Sequence, residues 1–267
     1  MLSVLTRPVL SKSVGKFMDS KLSIRRIKSF VEKNNIELSE YEDVEYKSFN
    51  EFFTRKIKPG MRKIDMQPAH FISPCDSKLS AYKIDNDSLF CIKDSMYSLC
   101  DLLGGNDDRY HQYSEGYCMI FRLAVDDYHR YCYIDNGVKD ENIFIKGELH
   151  TVQPIALNKY NIYKRNSREY TVLSTENFGD VIQIEVGAMM VGRIVNQHGA
   201  CSFLKGEEKG MFEFGGSTIV LLVKKDIITI ESYIMANSAK GVETAVKYGQ
   251  KIGDKRDDIE RKMDNMV

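Results

Sequence analysis

From about residue 70 onward the chain breaks into short β-prone runs, among them 180–186, 191–195, 218–223 and 227–234, punctuated by glycines at 187, 192, 206, 210, 215 and 216. Runs of this length rich in Val and Ile suit a pleated sheet better than a helix, because branched side chains are stiff about χ1. Glycine at the breaks supplies turn geometry. A body made mostly of strands is expected. The run 218–223 is apolar enough to be buried on both faces of a sheet, and 246–253 reads as a strand followed by a glycine turn. Neither an internal repeat nor a low-complexity segment interrupts the pattern.

The first third has a different texture. Leu10, Val14 and Phe17, then Ile24, Ile27 and Val31, recur at three- and four-residue steps, which places them on one face of amphipathic helices. A further helix is expected around Phe49 to Lys56, with Ser48 as N-cap and Glu51 three residues on completing a capping box. Pro59 and Gly60 end it. Residues 1–31 hold seven cations (Arg7, Lys12, Lys16, Lys21, Arg25, Arg26 and Lys28) against one acid, Asp19, an excess of six. Two readings stand side by side: a helical subdomain packed on the core, and a basic amphipathic helix on anionic lipid, where each near-surface cation contributes about 1 kcal/mol.

That local charge is set within a neutral whole, since Lys plus Arg and Asp plus Glu both total 38. Nucleic acid is therefore not an expected partner. The six cysteines (Cys75, Cys91, Cys100, Cys118, Cys132 and Cys201) form no CxxC pair and follow no secretory signal, which fits a reducing cytoplasm. No metal-ligand spacing is present. No run of 18 apolar residues would span a bilayer. The last fourteen residues, from Asp254, carry nine charged side chains and read as a solvated tail.

The most unusual local sequence is Phe212-Glu-Phe-Gly-Gly-Ser-Thr-Ile-Val-Leu-Leu222. A hairpin or bulge glycine pair would explain it. A chemical reading is also open, because a serine hydroxyl can attack the carbonyl before it where the backbone bends sharply, and glycine permits that bend. The resulting ester can eliminate to a dehydroalanine, which loses ammonia to water and ends as an N-terminal pyruvoyl group.

Eight further blocks, in order, resemble segments of the phosphatidylserine decarboxylases. Ser48-Phe-Asn-Glu-Phe-Phe-Thr-Arg-Lys-Ile-Lys-Pro-Gly-Met-Arg62 looks like the family's N-terminal signature, and Ser73-Pro-Cys-Asp-Ser77 like its Ser-Pro-x-Asp-Gly element. Tyr97–Gly104, Phe121–Arg130, Leu149–Pro154, Asn166–Arg168, Val186–Gly192 and Lys205–Phe212 are each similar to a family block. The resemblance covers about residues 45 to 253. It implies an α+β protein, with a helical, membrane-facing N-terminal segment (1–65) followed by a mainly antiparallel β-rich catalytic domain (66–267). It also implies a zymogen that cuts itself between Gly216 and Ser217 into a β chain, 1–216, and an α chain, 217–267, with Ser217 becoming a covalent pyruvoyl cofactor. The implied activity is carboxy-lyase action in phospholipid biosynthesis: phosphatidylserine to phosphatidylethanolamine plus CO2, through a Schiff base, at the cytoplasmic face of the cell membrane as a peripheral protein. A homodimer is compatible with the resemblance.

The family's self-cleavage uses a Ser-His-Asp arrangement. Ser217 and Asp76 match two members. The histidine departs from pattern: Asp-Tyr-His-Arg-x-His becomes Asp127-Tyr-His-Arg-Tyr-Cys132, keeping His129 and placing Cys132 where the second histidine stands. Candidates for the base are His129, then His150, then Cys132 as a thiolate with a depressed pKa. His129 is also the candidate proton donor in decarboxylation. His70, His111 and His198 read as structural. Arg122, Arg165, Arg168 and Arg193 are candidates for the substrate phosphate. Two other functions are weighed against this one: a serine hydrolase using Ser217, His129 and Asp76 without self-cleavage, though Ser217 lacks a Gly-x-Ser-x-Gly elbow, and a non-catalytic lipid-binding relative.

Overall fold

The computed structural model describes residues 14–85, 87–93, 95–105, 108–149, 164–187, 193–214 and 217–256. The expected architecture is borne out, a short helical N-terminal part and then a strand-rich, mostly antiparallel body. A nine-stranded sheet runs in the order Cys201–Phe203, Gly137–Lys139, Arg168–Thr175, Gly179–Val186, Ser217–Val223, Tyr117–Leu123, Ser77–Lys83, Thr244–Val246, with Ile143–Ile145 also pairing on Arg168–Thr175. Each of its pairings is antiparallel.

The strand Ser217–Val223 lies at the centre and is buried at all seven positions, as its composition predicts. Its residues alternate between two apolar clusters. Ile219, Leu221 and Val223 join one face with Leu79, Phe121 and Phe53. Val220 and Leu222 join the other with Ile120, Ile184 and Tyr97. Each such side chain contributes about 1.5–3 kcal/mol when fully buried, so this strand anchors both layers. The period of two also puts Ser217 on the face of Ile219, beneath the N-terminal helices.

Those helices follow the sequence in part. Ser48 caps Phe49–Phe53 by accepting from the Glu51 N–H at 3.1 Å, while the Glu51 carboxylate reaches the Lys47 N–H instead of closing the box on Ser48. The helix stops at Phe53, short of Lys56: the Thr54 hydroxyl folds back to donate to the Asn50 carbonyl, and Arg55 turns away to the Tyr41 hydroxyl. Phe49, Phe52 and Phe53 are buried together with Phe30 of the helix Arg25–Asn34 packed against them. Val14, Phe17, Ile27 and Val31 pack on the core as their spacing predicts. Ile24 does not, being 37% exposed, and Leu10 lies outside the described residues.

Two segments correct the sequence reading. The run 227–234 begins as a strand, Ile228–Ile230, then becomes the helix Ser232–Ala239. Ile234 and Ser238, four apart, are buried on one helix face, and the Ser238 hydroxyl accepts from the Ala81 N–H at 2.9 Å, so packing onto the sheet outweighs strand propensity there. At the other end Asp254 and Lys255 are not tail but part of the strand Lys251–Lys255, paired with His70–Ile72 and Ile228–Ile230.

Candidate active site

Ser217 opens its strand opposite Leu123. On the far side of that neighbour Lys78 opposes Arg122, which brings Ser77 level with Leu123. Ser77 and Ser217 therefore face the same side, two strand spacings or about 9.5 Å apart. Both are 1% exposed, and each has a hydroxyl oxygen without a partner among the described residues. Buried hydroxyls are normally satisfied. An unsatisfied one at the predicted nucleophile is the geometry of a group kept available for reaction.

His129 arrives from Leu123 through a tight turn, in which the Ala124 N–H donates to the Asp127 carboxylate at 2.8 Å. Its carbonyl accepts from the Phe212 N–H at 2.9 Å, and Phe53 stacks against its ring with centroids 4.0 Å apart. Phe53 in turn contacts Phe214, three residues before Ser217, at 5.2 Å. His129 is thus held between the helix Phe49–Phe53 and the segment 212–214 that leads into the serine.

The imidazole is 1% exposed. Its Nδ1 lies 2.9 Å from the Asp127 carbonyl. A carbonyl can only accept, so Nδ1 carries the hydrogen and Nε2 is the bare acceptor; Nε2 has no partner among the described residues. Burial pushes the ring's pKa down to about 3, against the Asp127 carbonyl and the Asp76 charge, which favour protonation, while the Arg55 and Lys93 charges lower it further. The ring is neutral at physiological pH and ready to accept a proton.

Asp76 is brought into the same region but bonds to other groups. Its carboxylate accepts two-point contact from Arg62 (Nε at 3.0 and 3.2 Å, Nη2 at 2.7 Å), one bond from Lys247 Nζ at 3.2 Å, and one from the Tyr248 N–H at 2.8 Å. Its influence on His129 is through space, and the tautomer of His129 is set by the Asp127 carbonyl. Cys132 is fully buried, and burial pushes its thiol up to about 12, the reverse of the depression a thiolate base requires. His150, Gly215 and Gly216 lie outside the described residues.

The three other histidines have structural partners. His70 Nδ1 meets Asp65 at 2.8 Å, His198 Nδ1 meets the Tyr133 hydroxyl at 3.3 Å, and His111 stacks on Tyr110. Three of the four arginines expected at a phosphate are bonded to protein groups. Arg122 bonds Glu243 and Arg193 bonds Glu213, both at exposed positions. Arg168 is buried and donates to the carbonyls of Leu102, Asn166 and Asp101. The side chain of Arg165 lies outside the described set. Sequence reasoning did not single out Arg55, Arg62, Lys93 or Asp127, although Arg55 and Arg62 sit inside the Ser48–Arg62 block and Asp127 beside His129. Lys93 occupies the turn between Phe90–Ile92 and Ser95–Tyr97 with φ 52°, and burial lowers its pKa to about 7.

Comparison with known proteins matches this chain to a family. A sequence profile described as phosphatidylserine decarboxylase fits residues 49–254. A protein of Clostridium acetobutylicum named phosphatidylserine decarboxylase proenzyme 2 is 50% identical over 250 residues, covering 93% of this chain and 85% of that protein. Phosphatidylserine decarboxylase proenzymes of Ruminiclostridium cellulolyticum and Clostridium tetani are each 44% identical, over 92% and 90% of this chain and 84% and 82% of their own lengths.

Proposed function

From the premise that this chain belongs to the phosphatidylserine decarboxylase family, we propose that it is made as a proenzyme that cuts itself before Ser217 and carries its cofactor on that residue. The chain is an enzyme, a carboxy-lyase acting on phosphatidylserine. The observation that carries the proposal is the pair of unsatisfied buried atoms, Ser217 Oγ and His129 Nε2, on segments locked to one another.

In self-cleavage His129 Nε2 takes the hydroxyl proton of Ser217 as its oxygen attacks the carbonyl of Gly216. The Gly216–Ser217 C–N bond breaks, the nitrogen gains the proton, and an ester joins the two residues. Removal of a Ser217 α-proton then expels the Gly216 carboxylate from Cβ, leaving dehydroalanine at the head of the 217–267 chain. Water adds and ammonia leaves, which yields the pyruvoyl group. Asp76, pinned by Arg62, supplies the negative charge that partly offsets the cations around His129 and so strengthens it as a base. Since Ser217 is itself the precursor of the group, the buried, unpartnered hydroxyl fits it.

The pyruvoyl ketone supplies an electron sink for the substrate carbon that bears the amine and the carboxylate. The chain's part in that reaction is burial of the site and a proton at His129, delivered to the carbon that loses CO2. The strand across the cut stays in place, because Ser217–Val223 is bonded on both sides by Gly179–Val186 and Tyr117–Leu123. Both fragments therefore remain one folded unit.

Access to a lipid substrate is assigned to the N-terminal part, where Lys16, Lys21, Arg25, Arg26 and Lys28 are exposed beside exposed Leu22 and Ile24. Cations and apolar side chains together favour an anionic membrane surface, with a peripheral position at the cytoplasmic face of the cell membrane. Among the described residues no helix is long and apolar enough to cross a membrane.

Substitution tests the reading. A Ser217→Ala chain should run as a single band near 30.7 kDa and release no CO2 from phosphatidylserine. A full-length band that still decarboxylates would contradict it.

A further inference from the structure

A buried polar cluster near Ser217 has no part in the chemistry described so far. Lys209 and Glu185 are both fully buried, and Lys209 Nζ meets Glu185 Oε1 at 2.8 Å. Lys209 Nζ also donates to Asn196 Oδ1 at 2.7 Å. Asn196 Nδ2 in turn donates to Glu169 Oε2 at 2.7 Å and to Glu185 Oε2 at 3.3 Å. Gln183 Nε2 donates to Glu185 Oε1 at 3.0 Å, and the Tyr131 hydroxyl donates to Asn196 Oδ1 at 3.2 Å.

The members of the cluster come from two sheets. Glu169, Gln183 and Glu185 belong to the nine-stranded sheet, while Tyr131, Asn196 and Lys209 belong to a three-stranded sheet ordered Ile194–Asn196, Glu208–Phe212, Arg130–Cys132. Glu185 pairs with Ile219, two residues into the strand that Ser217 opens, so it shares the face of Ser217. The small sheet carries the other parties to the cut. His129 directly precedes Arg130–Cys132, its carbonyl accepts from the Phe212 N–H at 2.9 Å, and Glu208–Phe212 leads in sequence toward Gly216.

The local backbone aims Lys209 at the large sheet. Glu208 faces Cys132 and Gly210 faces Tyr131, which leaves Lys209 as the extra residue of a β-bulge, a device that redirects a side chain. Gly210 permits the close approach, because a Cβ there would collide with the Val195 carbonyl oxygen and the Tyr131 hydroxyl.

Stability alone does not account for the pair. Taking two charges out of water offsets most of their attraction, and apolar residues of similar volume commonly serve as well or better. We propose that Lys209 and Glu185 are positioning residues for self-cleavage. Their ion pair fixes the small sheet, with His129 and the chain leading to Gly216, against the strand that presents the Ser217 hydroxyl. This rests on the self-cleavage reading above. Attack requires the oxygen and the carbonyl carbon to meet at about 3–3.5 Å, and a misplacement of about 1 Å slows reaction by roughly a hundredfold. Two sheets that carry different reactants therefore need a fixed spacing, which a directional contact with defined length supplies and apolar packing does not.

The test replaces both charges together, Lys209→Met with Glu185→Gln, so that neither is left buried alone. Gel densitometry of cell-free product follows the cut, and urea denaturation in the Ser217→Ala background follows stability. The expected result is self-cleavage slowed at least about tenfold, with the urea midpoint unchanged or raised. In the fraction that does cut, kcat per small chain for a short-chain phosphatidylserine falls while KM stays within about twofold, because His129 is displaced from residue 217 and the substrate contacts are not. Cleavage at the parent rate overturns the proposal whatever the midpoint. Slowed cleavage with kcat per small chain at the parent value overturns it too, since a pair that only supports folding changes the yield of active enzyme and not its turnover. A parent chain that never cuts removes the self-cleavage reading itself, and the parent sample separates that failure from one confined to Lys209 and Glu185. Should the double variant fail to fold, Glu185→Asp decides. It keeps both charges and shortens the arm by one carbon–carbon bond, about 1.5 Å, so slowed cleavage supports the proposal and an unchanged rate overturns it.

Discussion

Arg62 holds Asp76 at two points, with Nη2 on Oδ2 at 2.7 Å and Nε across both carboxylate oxygens, and Asp76 is 1% exposed. The acid that the family resemblance assigns to a histidine is here clamped by an arginine. Removing one partner of a buried pair leaves the other uncompensated, at about 3–5 kcal/mol. Arg62→Met should fall at the low end of that range, since Lys247 and the Tyr248 N–H remain on Asp76. Urea denaturation in the Ser217→Ala background measures it, and a loss under about 1 kcal/mol would show that the clamp is not structural.

His129→Gln should abolish the cut. The pH dependence is more discriminating. With its pKa pushed down to about 3, His129 is a neutral base across the physiological range. The rate of self-cleavage should therefore be flat from about pH 5 to 8, where an imidazole of ordinary pKa near 6.5 would lose most of its base form toward pH 5. Gel densitometry of cell-free product against pH decides between the two.

The same shift predicts a stability slope. Between about pH 3 and 6.5 the unfolded chain protonates this histidine and the folded chain does not, so stability falls as pH is lowered through that window. The slope contributed by this one group approaches roughly 1.4 kcal/mol per pH unit. Denaturant midpoints of Ser217→Ala alone and with His129→Gln should converge toward acid pH. Parallel curves would mean that His129 is not buried neutral.

Cys132 replaces the histidine expected at its position, yet its thiol is raised to about 12 and it is fully buried. Cys132→Ala should leave self-cleavage within a few-fold of the parent and cost about 1 kcal/mol of stability from lost packing. Loss of the cut with the fold intact, followed by circular dichroism, would restore Cys132 as a participant.

Much of this was legible in the residues, and the exceptions have physical causes. Alternation and composition are local properties, so the central strand, the Ser48 cap and the strand-rich body could be read directly, while the antiparallel arrangement was implied by the family resemblance. The helix Ser232–Ala239 could not, because Ile228, Ile230 and Ile234 look like one β-prone run until Ile234 and Ser238 are seen to pack on the sheet. For the site, the motif blocks marked Ser217, Asp76 and His129. They did not reveal that Arg62 occupies Asp76, that the Asp127 carbonyl sets the His129 tautomer, or that Arg55 is buried against the Tyr41 hydroxyl. The Arg62–Asp76 and Arg55–Tyr41 contacts join residues 14 apart and the Asp127–His129 contact depends on the turn between them, so all are fixed only when the segments 41–62 and 124–132 close over the strand that begins at Ser217.

The central claim is the fate of Ser217, and intact-mass spectrometry of the purified wild-type protein addresses it most directly. The prediction is a small chain whose mass equals residues 217–267 with a pyruvoyl group in place of serine, alongside a large chain ending at Gly216. A single species at the full-chain mass of 30.7 kDa in a preparation that decarboxylates phosphatidylserine would contradict it.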